Sequence, residues 1–135
     1  MSCPRFGPGF AASPEFAPAL ELWAAVLSVP EPGLAIVNAG RHDISCDQGM
    51  PVPLRVRSSG PGEPGPGECQ AAAGMRVDRL DDQHGYVRIP VPSDLHPGDL
   101  VALGITHPCT TFDKWRVIPV VDDDDRVIDA VHTFF

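Results

Sequence analysis

"MRVDRLDDQHGYVRIPV", residues 75 to 91, decides the fold. Arg76 and Asp78 alternate with Val77, and Arg79 with Leu80, which is the two-residue period of a strand with one face in water. "DQHG" then supplies turn chemistry, and "GYVRIPV" (85 to 91) resumes a β-rich run. The stretch reads as strand, turn, strand.

Similar runs lie to either side. They are "LAIVNAG" (34 to 40), "VPLRVR" (52 to 57), "DLVALGI" (99 to 105), "RVIPVV" (116 to 121) and "RVIDAVHTFF" (126 to 135). In "VPLRVR", Leu54 and Val56 alternate with Arg55 and Arg57, so this strand too is expected to be half exposed. Seven short runs predict a mainly β fold, a small barrel or sandwich of about seven strands. The 16 Pro and 13 Gly suit short strands joined by turns. A chain of 135 residues holds one ordinary domain with a single modest core.

Ahead of the strands, Leu20, Trp23, Ala24 and Leu27 recur at helical spacing, with Pro18 suited to a first turn. One N-terminal helix over 18 to 27 is expected, ended by "SVPEPG". Residues 1 to 17 read as a flexible tail. "SSGPGEPGPGECQAAAG", within the insert at 58 to 74, has too little apolar surface to offset its ordering entropy and is expected to be a disordered Gly/Pro-rich loop. "VVDDDDRVID" places four aspartates at a solvated hairpin tip, without the glycine and distal glutamate of a calcium loop.

The formal charge of −8 disfavours a phosphate backbone or an anionic membrane as partner. No apolar stretch approaches the roughly 20 residues that span a bilayer, and "MSCPRFGPGF" lacks the apolar core of a signal peptide. The expectation is a soluble, cytoplasmic protein whose four cysteines (Cys3, Cys46, Cys69, Cys109) stay as thiols.

Within "GITHPCTTFDKW" (104 to 115), His107 and Cys109 stand two residues apart. On an extended segment they would share a face, and imidazole with thiolate suits zinc better than magnesium or calcium. The same spacing also describes a buried thiol beside a hydrogen-bonded histidine. Two protein ligands would leave vacant positions for water or substrate, as a catalytic metal needs.

"PALELWAAVLSVPEPGLAIVNAGRHDISCDQGMPVPLRV", "DQHGYVRIP" and "LHPGDLVALGITHPCTTFDKWRVIPVVD", taken together, resemble the C-terminal domain of D-serine dehydratase-like amino-acid deaminases, relatives of D-threonine aldolase with an alanine racemase-like plan. The resemblance covers roughly residues 18 to 135 apart from the insert. It implies a lyase in which an N-terminal β/α barrel carries pyridoxal phosphate on a lysine and the C-terminal β domain supplies the metal.

Carried over residue by residue, the resemblance implies that His107 and Cys109 are zinc ligands and that His84 lies at or beside the active-site cleft. His84 also suits a hairpin corner before Gly85. Asp43 and Asp47 fall in a loop that the family keeps rich in Asp and Gly, and both read as turn chemistry. Thr110, Thr111 and Asp113 are placed to bond the imidazole or to cap the turn. Relatives with aldolase activity resemble H-x-Asp at the metal motif, so Cys109 favours the dehydratase branch and a small D-amino acid such as D-serine as substrate.

Lys114 is the chain's only lysine, and no family motif places the cofactor lysine there. Asn38 and "GRHD" also depart from the family pattern. The resemblance therefore implies a truncated or separately encoded metal-bearing part, inactive alone, with a pyridoxal-phosphate barrel or a homodimer as partner. A free-standing β domain acting as a binding module, a D-threonine aldolase-type lyase domain and a small metal-binding protein are the alternatives. A domain that packs on a barrel should expose an apolar patch, expected on the segment around Trp23.

Overall fold

A computed structural model of the chain describes residues 18–60 and 69–135. The expected tail at 1–17 and the centre of the insert, 61–68, lie outside the described residues. The elements are β1 (Glu21–Glu31), β2 (Leu34–Val37), β3 (Val52–Arg57), β4 (Cys69–Ala71), β5 (Arg76–Leu80), β6 (Gly85–Arg88), β7 (Leu100–Gly104), the one-turn helix α1 (Cys109–Phe112), β8 (Val117–Val121) and β9 (Val127–His132). All seven runs read as strands are strands. Among the described residues no helix is long and apolar enough to cross a membrane.

Seven strands form one antiparallel sheet in the order β4-β3-β7-β1-β2-β6-β5. β5, at one edge, comes back against β3 near the other, so the sheet coils around its contents while its edges stay unpaired with each other. The core inside the coil is small and branched: Val26, Val37, Leu80, Val87, Val101 and Leu103 are almost fully buried, with Ile44 from the β2–β3 loop beneath them. β5 behaves as its sequence predicts, with Val77 and Leu80 inward and Arg76, Asp78 and Arg79 in solvent. A bulge between Val77 and Arg79 explains why two polar residues separate the two apolar ones.

The helix expected over 18 to 27 is instead the start of β1, the longest strand. Its first half pairs with β7, from Glu21 opposite Gly104 to Ala25 opposite Leu100, and its second half pairs with β2, from Val26 opposite Val37 to Glu31 opposite Leu34. Ala24 and Val26 face the core, while Leu27 is 47% exposed. Apolar residues on both faces of a strand can satisfy a period of 3.6 as well as one of 2, and the partners that decide between them lie far along the chain. The insert also differs from expectation at its end, where Cys69–Ala71 pairs with β3 as an edge strand.

β8 and β9 form a separate two-stranded ribbon, and every residue of β9 is exposed. The aspartate run turns its tip. Asp122 accepts the backbone N–H groups of Asp124 and Arg126 on Oδ1, and Asp125 takes a left-handed φ of 60°. Asp125 is not a solvated tip residue, because its carboxylate meets both Arg57 and Arg55, the latter at 3.4 Å. Arg55 also bonds Glu21 at 2.5 Å, and the guanidinium carbons of Arg55 and Arg57 lie 4.8 and 4.6 Å from the centre of the Trp23 ring. Arg55 is therefore buried, 3% exposed, and β3 is covered on both faces rather than half exposed. Two acidic side chains and an aromatic ring replace the water that the alternation led one to expect around these cations.

Candidate functional site

The β2–β3 loop, residues 38 to 51, is the frame of the site. At its start, Gly40 packs against the β5–β6 turn so closely that a Cβ would stand 2.4 Å from the Asp82 carbonyl carbon. The amides of Arg41 and His42 donate to the carbonyls of Asp81 and Asp82 at 2.9 and 3.0 Å. Asp43 closes this corner by accepting the Gly40 N–H at 3.0 Å, which is the turn chemistry its sequence suggests. Its carbonyl in turn accepts the indole N–H of Trp115 at 2.7 Å.

The second half of the loop grips the segment that leaves β7. Ser45 and Thr111, both buried, form the seam: the Ser45 N–H donates to Thr111 Oγ1 at 3.1 Å, and Ser45 Oγ donates to the His107 carbonyl at 2.6 Å. Thr106 Oγ1 reaches the Gly49 carbonyl at 3.0 Å. Between these anchors, His107 Nδ1 and Asp47 Oδ2 are 2.7 Å apart, and Thr110 Oγ1 donates to Asp47 Oδ1 at 3.2 Å. The hydrogen bond from His107 holds the Asp47 carboxyl below the ordinary aspartate range, so the group is an anion near neutral pH and can only accept.

Asp47 is thus the residue that sequence reading passed over. Its sequence reads as turn chemistry like that of Asp43, and its partner, His107, is 60 positions away. Thr110 reaches the imidazole only through Asp47, Thr111 serves the seam, and Asp113 lies 3.7 Å from Lys114. His84 is exposed at the β5–β6 corner, where its carbonyl accepts the Asp81 N–H at 2.8 Å. The loop stands between it and His107: one end bonds the turn that holds His84, the other end bonds His107.

The segment at 107 to 109 is not extended. Pro108 has φ −68° and ψ −30°, and Cys109 begins α1, so strand alternation does not place the two side chains on one face. Both remain accessible, Cys109 as an exposed thiol and His107 with its side chain 32% exposed. Among the described residues no group of three or more His, Cys, Asp or Glu side chains gathers as a cation cage. The expectation of four free thiols needs one correction: Cys46 and Cys109 are free, but Cys69 is disulfide-bonded, since irregular spacing does not prevent a single pairing. Cys3 lies outside the described residues.

Comparison with known proteins follows the same outline. No curated protein matches the chain. Among solved structures, D-threonine aldolase from Filomicrobium marinum superposes with a TM-score of 0.69 at 26% identity, over 87% of this chain and 28% of the enzyme. The chain therefore spans less than a third of that enzyme's length. A model of the family described as "Putative serine dehydratase domain" matches residues 19–121, which run from the start of β1 to the end of β8 and include the loop and the His107 segment. The chain belongs to this serine dehydratase-like domain family.

Proposed function

We propose that the chain is the metal-bearing β domain of a pyridoxal-phosphate-dependent D-amino-acid dehydratase, with His107 and Cys109 as the protein ligands and a β/α barrel as the partner that carries the cofactor. The observation that carries this reading is an accessible imidazole, bonded through one nitrogen, two residues from an exposed free thiol on a segment pinned at both ends. Imidazole and thiolate form a donor set of the softness zinc prefers, and two ligands fit the open coordination of a catalytic ion. Bound zinc would supply Lewis-acid polarisation of a substrate hydroxyl, and pyridoxal phosphate would supply the electron sink.

The chain's own residues contribute binding and orientation. The Ser45–Thr111 seam fixes the main chain at His107, and α1 presents Cys109 to solvent rather than to the core. Lys114, the chain's only lysine, lies beside Asp113 where no family motif places the cofactor lysine, so that lysine is assigned to the barrel. His84, on the neighbouring turn, belongs to the rim of the cleft.

Zinc titration of the full chain tests the reading. One equivalent is expected to bind, and His107→Ala or Cys109→Ala should each abolish stoichiometric uptake. Equal uptake by the wild type and both variants would remove the assignment. The likeness to D-threonine aldolase supports a second reading, an aldolase-type lyase domain. Assembled with a barrel, a dehydratase releases ammonia from D-serine, whereas an aldolase releases glycine from D-threonine.

A further inference from the structure

We infer that Asp47 is a positioning residue that locks the His107 ring with its proton on Nδ1 and leaves Nε2 as the electron-pair donor of the site. An ionised carboxylate has no proton to give, so across the 2.7 Å contact Nδ1 must be the donor. In a neutral imidazole the proton on Nδ1 leaves Nε2 bare. Among the described residues, Asp47 alone bonds the ring.

Three further contacts keep the carboxylate from turning away. Thr110 Oγ1 holds its second oxygen, and Thr110 lies in α1, so ring and brace belong to one short segment. Two residues before Asp47, Ser45 bonds the His107 carbonyl and the Thr111 hydroxyl, which fixes the spacing between the two backbones. The geometry is that of a carboxylate–histidine pair outside a metal's ligand shell, which sets the tautomer and raises ligand basicity. The consequence for metal affinity rests on the proposal that His107 is a ligand. The tautomer does not.

Nitrogen-15 NMR of the His107 ring in the metal-free full chain tests the inference, with His107→Gln identifying the signals. The wild type should show a protonated Nδ1 and an unprotonated Nε2 once the ring is neutral, and Asp47→Ala should give the averaged signals of an unrestrained ring. Asp47→Ala should also weaken zinc binding about 10- to 100-fold, and Thr110→Val should have a smaller effect in the same direction. A wild-type ring protonated on Nε2 overturns the inference whether or not the variant folds. So does an Asp47→Ala spectrum identical to the wild type. A wild-type chain with the Nδ1 proton in place but no zinc uptake would support Asp47's role and sink the metal assignment instead.

Discussion

Gly40 shows how one residue can hold a site it does not touch. The hydrogen of its α-carbon faces the Asp81–Asp82 backbone where no methyl group fits. Gly40→Ala must push the loop off the β5–β6 turn, at a cost of about 1–3 kcal/mol for overpacking, measured by urea unfolding. Because Asp43 and Asp47 hang from the same loop, the variant should also weaken the zinc binding proposed for the full chain, and a variant with unchanged stability and unchanged Asp47–His107 geometry would contradict this account. His107 and Cys109 stand out in the sequence as ligand-type side chains by kind and spacing, yet the extended segment that the spacing assumes is a turn leading into α1. Asp47 does not stand out, since an aspartate two residues before a glycine is ordinary in turns and its meaning comes from a histidine brought back by the topology. Asp43, of the same type in the same loop, did keep the ordinary role.

Among the elements, the β8–β9 ribbon depends on its clasp to the sheet. Arg55 is buried and answered by Glu21 and Asp125, while its Nε has no partner among the described residues, so the cluster has little to spare. Asp125→Asn keeps a side chain that tolerates the left-handed turn and removes only the charge. The expected cost is on the order of 3 kcal/mol by thermal or chemical unfolding, with faster hydrogen exchange in β8 and β9. Asp124→Asn, at an exposed pair with Arg126, should stay within about 0.5 kcal/mol. The strand positions themselves were readable, because alternation and turn residues are local. The burial of Arg55 was not, because alternation reports which face a side chain occupies and not what later covers that face. β1 misled for the opposite reason: its apolar residues are too dense to carry a period.

For the whole molecule, the expected segment around Trp23 contributes only Leu27 to the large exposed apolar side chains, and most of them lie elsewhere. Trp23 sits under two guanidinium groups, whereas Val127, Ile128, Phe134 and Phe135 are 68%, 66%, 94% and 88% exposed. Surface of this kind favours association. The chain should gain apparent mass with concentration in sedimentation velocity, and Val127→Lys with Ile128→Lys should return it toward the monomer. Unchanged association in that variant would move the contact to another face.

β1 lends one half of its length to β7 and the other to β2. The loop carrying Asp47 departs from β2 and His107 follows β7, so the carboxylate–imidazole contact joins the Ser45 and Thr106 hydrogen bonds in tying together the two wings that meet along this strand. The loop after β2 and the segment after β7 are therefore held to each other directly, as well as through the strand between them.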